Sequence, residues 1–253
     1  MGSFTKLWFK DTETPFDVDD PYFFDECHKY PWVAHIEAHW EEIRDEVYEV
    51  LGRDDSNLVP YPKQSMVTRK NHWRTLAFMF WTYSIEDNCH LFPKTWSLIK
   101  DIPNMTAASF NLLEANTTIK PHTGDTNAIM RCHIGLSVPA GLPRCGFRVG
   151  KESRRWENGK FFMFNDAHEH TAWNNTDEDR YVMVIDVMRD EFVPVKNKTA
   201  SRVLATIKQE VLRQKVPIIG RLFSNKIGKK LLFGLFNVIN RIQIATGTNK
   251  LNA

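Results

Sequence analysis

Several things are missing from this chain, and each absence closes off a class of protein. No run of about 18 apolar residues occurs, so no segment reads as a membrane-spanning helix. The opening residues MGSFTKLWFKDTE lack the apolar stretch of a secretory leader, and Lys6 stands where a myristoylation signal needs Ser or Thr. Cysteine is scarce. Cys27, Cys89, Cys132 and Cys145 are scattered, with no CxxC pair and no zinc spacing. They read as reduced thiols, and the expected location is cytoplasmic. Internal repeats and low-complexity tracts are absent. Acidic residues nearly vanish from the C-terminal part: from Lys196 onward 12 Lys and Arg face one acid, Glu210. The preceding residues carry 21 basic and 30 acidic side chains. A basic tail on an acidic body points to an anionic partner surface. Aromatic and basic residues do not interleave in the tail as in single-strand binders, so nucleic acid is set aside. A peripheral membrane contact is expected, against the competing reading of a face packed on the body or between copies.

Apolar residues make up 42% of the chain, enough for a sizeable core. Residues 1–30 are acidic and aromatic, punctuated by Pro15 and Pro21, and read as an extended arm. Val33, Ile36, Trp40, Ile43, Val47 and Val50 recur at helical steps, with Gly52 as a stop. A strand-prone run follows at Trp73–Trp81, then a helix through Thr95–Ile99. Residues 106–192 are mostly short β-prone runs, among them Ala107–Leu113, Arg131–Val138, Cys145–Val149, Lys160–Phe164 and Tyr181–Val187. Turn signals at Gly141-Leu142-Pro143, Asn158-Gly159 and Asn174-Asn175 separate them. Regular short strands with such turns predict a sandwich or barrel. Beyond Val195, Val203, Leu204, Ile207, Val211 and Leu212 form one helical stripe. After a break at Pro217 and Gly220, Ile227, Leu231, Leu232, Leu235, Ile239 and Ile242 form another, flanked by Lys226, Lys229, Lys230 and Arg241. The expected organisation is an arm (1–30), a mainly β domain with N-terminal helices (31–195) and a basic amphipathic helical segment (196–253).

The informative stretches are Pro121-His122-Thr123-Gly124-Asp125-Thr126-Asn127, Arg131-Cys132-His133-Ile134-Gly135-Leu136, Asn165-Asp166-Ala167-His168-Glu169-His170-Thr171-Ala172-Trp173-Asn174 and Arg180-Tyr181-Val182. In this order they resemble the aspartyl/asparaginyl β-hydroxylase family. Tyr30-Pro31-Trp32 with the helix after it, and Asp186-Val187, extend the resemblance over about residues 20–192. It implies a double-stranded β-helix, a jelly-roll with a cupin-like core. It also implies iron(II), 2-oxoglutarate and O2, with 2-oxoglutarate decarboxylated to succinate as an unactivated C–H bond is hydroxylated.

The resemblance places iron on His122 and His170, with His168 as a decoy two residues away. Most non-haem iron oxygenases add a carboxylate to two histidines. It usually lies two residues after the first histidine, which here is Gly124. Asp125 would face away from His122 on a regular strand unless a bulge brought it back. The resemblance implies a water at the vacant position instead. Arg180 matches the arginine that grips 2-oxoglutarate, a task suited to a planar guanidinium. The alternative is a surface arginine beside Asp177, Glu178 and Asp179. His133 matches a histidine contacting the same cosubstrate, or else is a core imidazole. Asn111 stands where animal members place a serine that touches it. Arg131 matches an arginine facing a substrate carboxylate. Its usual partner two residues earlier is Ile129, which suits an uncharged group or an acyl chain.

The leading expectation is a hydroxylase acting on an aspartyl or asparaginyl side chain or on a lipid acyl chain. A small molecule is also open as substrate. Two alternatives are halogenation, with chloride at the position Gly124 leaves vacant, and a non-catalytic jelly-roll binding module.

Overall fold

A computed structural model describes residues 5–12, 14, 16, 19–216, 218, 221, 223 and 225–251. Pro15, Pro217 and Gly220, read above as punctuation, lie outside them. The helical pattern from Val33 to Val50 is two helices, α1 (Pro31–Ala38) and α2 (Trp40–Arg53). His39 leaves the helical region with φ −116° and ψ 14° and separates them. Pro31 at the first turn of α1 suits its fixed φ. The helix α2 runs one residue past the stop expected at Gly52.

Strands β1 (Val59–Pro60), β2 (Trp73–Phe80) and β3 (Tyr83–Ile85) precede two short helices, α3 (Glu86–Leu91) and α4 (Pro93–Ile99). Eight strands then build the body: β4 (Met105–Leu113), β5 (Thr117–His122), β6 (Ile129–Ser137), β7 (Cys145–Val149), β8 (Glu152–Arg154), β9 (Phe161–Asn165), β10 (His170–Asn174) and β11 (Arg180–Met188). One sheet runs β3-β2-β4-β11-β6-β9, and the facing sheet runs β5-β10-β7-β8. From β4 to β11 the chain crosses between the two sheets at each step except the β7–β8 hairpin, which is the winding of a double-stranded β-helix. The fold is therefore mainly β with flanking helices, around a jelly-roll core. Helices α5 (Lys196–Lys215) and α6 (Lys226–Thr246) and a short β12 (Lys250–Leu251) complete it.

Alternation along the strands sorts the side chains into cores. Ala108, Phe110 and Leu112 of β4 face outward and pack with Val33, Ile43 and Val47 of α1 and α2. Leu113 faces inward, with Phe147, Phe162, Phe164 and Ala172 between the sheets. A third cluster lies under α5, where Ile129 and Met188 meet Ala200, Val203 and Leu204. The Asn158-Gly159 turn is tight because Gly159 has φ +71° and Trp40 lies against it, 2.5 Å from where a Cβ would stand.

The buried Glu46 of α2 accepts hydrogen bonds from the backbone N–H groups of Lys94 and Thr95 (2.9 and 2.7 Å). It caps α4 from a neighbouring helix, because α4 has no side-chain cap of its own. Glu46→Ala strands both donors, with an expected stability loss of about 2–3 kcal/mol in urea unfolding. A loss below about 0.5 kcal/mol would mean that water replaces the cap at no cost.

The N-terminal arm runs along the rim of the β-helix. Phe23 bridges Phe164, and Phe9 bridges Thr126. The buried Asp20 pairs with Arg189 at 2.9 Å and accepts from Asn127 and Asn165.

Candidate functional site

His122 ends β5, and β10 begins at His170, which is its register partner. Counted from β4, β10 is the seventh strand of the β-helix. The two imidazoles lie with ring centroids 4.1 Å apart. Each ring is fixed by its Nδ1, 2.8 Å from the Lys120 carbonyl for His122 and 2.9 Å from the His168 carbonyl for His170. Carbonyl oxygens only accept, so each Nδ1 carries the proton and each Nε2 presents a bare lone pair. Burial lowers the pKa of His122, and lowers that of His170 well below the ordinary value, with the neighbouring His122 adding to the effect. Both rings are therefore neutral and able to bind a metal.

His170 Nε2 lies 3.4 Å from Asp166 Oδ1. A bare imidazole nitrogen and a carboxylate oxygen that face each other are both acceptors, and only a cation or a proton makes that arrangement favourable. The donor set thus fits a divalent metal held by two imidazoles with an acid close by. Among the described residues no three His, Cys, Asp or Glu side chains converge into a closed cage.

Asp166 is the member that residue types alone did not single out. A Cβ on Gly124 would stand 1.7 Å from its Oδ2. The Gly124 N–H donates to its backbone carbonyl at 2.7 Å. The space left by the missing side chain at Gly124 is filled by a carboxylate from the turn between β9 and β10. The signal for it was the Asn165-Asp166 pair just ahead of His170, within the family stretch. Asp125 holds its backbone carbonyl to Lys10 N. Burial and the neighbouring Asp166 raise the pKa of its carboxyl. Its carboxyl has no contact with either imidazole among the described contacts. His168 turns away, with Nε2 on the Asp20 carbonyl at 2.6 Å and its ring between Phe16 and Tyr22. Glu169 pairs at the surface with Arg148.

Arg180 is the most unusual charge in the molecule. It is 2% exposed, so the alternative of a surface arginine is excluded. Its guanidinium lies 4.4 Å over the Trp156 ring. Its Nε has no hydrogen-bond partner, and among the described residues no carboxylate pairs with it. Burial pulls its pKa down to about 10. A buried guanidinium without a counter-ion is costly unless an anionic ligand completes it. Trp156 also donates from Nε1 to His133 Nδ1 at 3.3 Å, which places the proton of a neutral His133 on Nε2. Burial, with Arg131 and Arg180 nearby, holds the His133 pKa well below its ordinary value. Arg180, Trp156 and His133 form a buried cluster with one cation and one N–H donor.

Asn111 is close but engaged. Its amide donates to Ser109 Oγ at 2.9 Å, and its carbonyl accepts from Trp73 Nε1 at 3.1 Å. Trp73 stands 6.5 Å from the His122 ring and stacks on Tyr61, walling that side.

Both residues expected on the substrate side have partners within the protein. Arg131 does not present a free guanidinium. It binds Asp186 through Nε and NH2, both at 2.8 Å, and Asp166 through NH1 at 2.5 Å. Burial opposes its charge, but Asp166 and Asp186 outweigh it and hold its pKa well above the ordinary value. Ile129 is 1% exposed and packs with Trp81, Met188 and the α5 residues Ala200 and Val203. The helix α5 covers the start of β6, which the sequence alone treated as part of a separate segment.

A family model described as aspartyl/asparaginyl beta-hydroxylase matches residues 37–190. The chain is 33% identical over 164 residues to an ornithine lipid ester-linked acyl 2-hydroxylase of Rhizobium tropici, covering 63% of this chain and 58% of that protein. It is 28% identical over 172 residues to the human aspartyl/asparaginyl beta-hydroxylase, covering 66% of this chain and 22% of that protein. It is 29% identical over 177 residues to the mouse aspartate beta-hydroxylase domain-containing protein 2, covering 66% of this chain and 50% of that one. Each match thus spans less than two thirds of the relative.

Proposed function

The chain belongs to the aspartyl/asparaginyl β-hydroxylase family, and on that premise we propose that it is an iron(II)- and 2-oxoglutarate-dependent hydroxylase. The observation that carries this reading is the pair of neutral imidazoles, His122 and His170, with both Nε2 lone pairs free and their rings 4.1 Å apart. These two residues would hold the metal, which when loaded with 2-oxoglutarate and O2 supplies oxidising power that side chains lack. The protein's own part is orientation and charge. The carbonyls of Lys120 and His168 fix both rings in the metal-binding tautomer. Arg180 supplies the cation for a dicarboxylate, and His133 a neutral N–H donor beside it. Phe147 and Phe164 pack against His170 and keep that side of the site dry.

For the substrate, the reading supported best is the acyl chain of a lipid. An ornithine lipid acyl hydroxylase is among the similar proteins. Arg131 is already bound by two carboxylates and leaves no free fork for an acidic side chain. The Asp166 carboxylate in the Gly124 space also stands against halogenation, because chloride there would meet a negative charge.

Titration with iron(II) and 2-oxoglutarate in the absence of oxygen tests the reading. A charge-transfer band in the visible range, at roughly 500–530 nm, is expected for the wild type, as for an open facial iron site. It should vanish in both His122→Ala and His170→Ala. A folded wild type without the band would leave a jelly-roll binding module as the better description. Turnover assays with lipids and acidic peptides side by side then choose the substrate. Hydroxylation of the peptide alone would overturn the acyl-chain reading.

A further inference from the structure

The helix α6 turns an apolar stripe away from the protein. Its inward side is mixed: Leu232 is buried and Ile244 packs on the cluster under α5, beside polar residues. Asn240, fully buried, donates to the Ser201 carbonyl and accepts from Lys208 Nζ at 2.7 Å, and the Tyr83 hydroxyl donates to Gln243 at 2.8 Å and lies 3.3 Å from Asn240 Oδ1. The outward side is apolar: Ile227, Leu231, Leu235, Val238 and Ile242 follow one another at three- and four-residue steps. Leu231 is 64% exposed and Leu235 57%. Amphipathic helices normally bury the apolar side, so this arrangement leaves the stripe for another phase or partner.

Charge selects among occupants. Lys230 and Arg241, both exposed, lie one turn beyond Ile227 and Val238 at the edge of the stripe. The segment from Lys196 carries 12 basic residues and one acid. A second copy laid on the stripe would bring like charges together, whereas an anionic bilayer meets both the apolar stripe and its basic edge. Among the described residues no helix is long and apolar enough to cross a membrane. A helix lying in the interface needs no such length.

We propose that α6 docks the protein on anionic lipid surfaces, through insertion of this stripe and attraction of the basic residues beside it. The docking surface is tied to the site. Arg202 of α5 pairs with Asp11 of the arm at 2.9 Å, and the adjacent Lys10 binds the carbonyls of Thr123 and Asp125, next to His122. Docking does not depend on the iron chemistry, since it requires neither metal nor turnover.

The test is flotation of the full chain with phosphatidylcholine vesicles and with equimolar phosphatidylcholine–phosphatidylglycerol vesicles. Binding to the anionic vesicles should exceed that to the neutral ones by at least about tenfold and weaken as salt is raised. Leu231→Ser with Leu235→Ser should cut anionic binding by at least about tenfold. Lys230→Ser with Arg241→Ser should weaken it by several fold and flatten the salt dependence. A Leu235→Trp reporter should shift its emission to the blue on anionic vesicles alone, a readout that does not rely on the double serine variant folding. Equal binding to both vesicles, or none to either, overturns the proposal. So does a dimer in sedimentation that the double serine variant converts to a monomer, because a second copy would then cover the stripe.

Discussion

Arg180→Met is expected to abolish 2-oxoglutarate binding while leaving the fold no less stable. The two effects share one cause. The guanidinium is 2% exposed, has no anionic partner among the described residues and leaves its Nε unsatisfied, so its buried charge is uncompensated among them. Methionine keeps most of the apolar stem and removes that charge. Part of the cost is already offset by the Trp156 ring beneath it, so the change in urea stability should lie between zero and a gain of about 2 kcal/mol. Removing the fork that meets a carboxylate costs roughly 3–5 kcal/mol of binding, which is more than a hundredfold in affinity. Arg180→Lys keeps a charge but not the planar pair of donors and should recover only part of the loss. Stability from chemical unfolding and affinity from titration without oxygen measure both sides. A variant that loses several kcal/mol of stability but binds 2-oxoglutarate normally would make Arg180 a structural cation.

Five of the eight strands of the body were named as runs because two-residue alternation and turn chemistry are local signals; β5, β8 and β10 were not. The run Cys145–Val149 is β7 as written, and the other four runs shift by one or two residues at their ends. The break at His39 was not legible, since the apolar spacing continues across it while the backbone does not. His122, His170 and Arg180 could be named because they stand in recognisable stretches. The structure adds their tautomers, the proximity of the rings and the missing counter-ion. Asp166 could not be placed against Gly124, because pairing of β5 with β10 brings together residues 42 apart in the chain. The packing of Ile129 could not be foreseen for a similar reason, its neighbours Ala200 and Val203 arriving from α5. The period of the α6 stripe was visible, but not which of its residues face the protein: Leu232 is buried beside Asn240, whereas Leu231 and Leu235 are exposed.

Restoring a side chain at Gly124 is the change with the largest expected cost to the fold. A Cβ there would lie 1.7 Å from Asp166 Oδ2, 2.4 Å from its Cγ and 2.9 Å from its backbone oxygen. The carboxylate cannot simply swing aside, because Arg131 NH1 holds its other oxygen at 2.5 Å. Gly124→Ala should therefore cost about 2–4 kcal/mol, through overpacking and a broken buried ion pair. Gly124→Asp, which writes the usual two-histidine, one-carboxylate arrangement into the sequence, should fare worse, since it sets a second carboxylate against Asp166. Neither variant should bind iron(II) more tightly than the wild type. Asp166→Ala opens the space while Arg131 keeps Asp186, so its own cost should be smaller, about 1–3 kcal/mol. In the double variant Gly124→Ala with Asp166→Ala most of the clash is gone, although the contact with the backbone oxygen remains. The two losses should then fall short of additivity by about 1.5–3 kcal/mol. Urea unfolding of the four proteins in this cycle gives the coupling directly. Strict additivity, or a Gly124→Asp protein that gains iron affinity without losing stability, would show that Asp166 does not occupy the place a ligand from residue 124 would take.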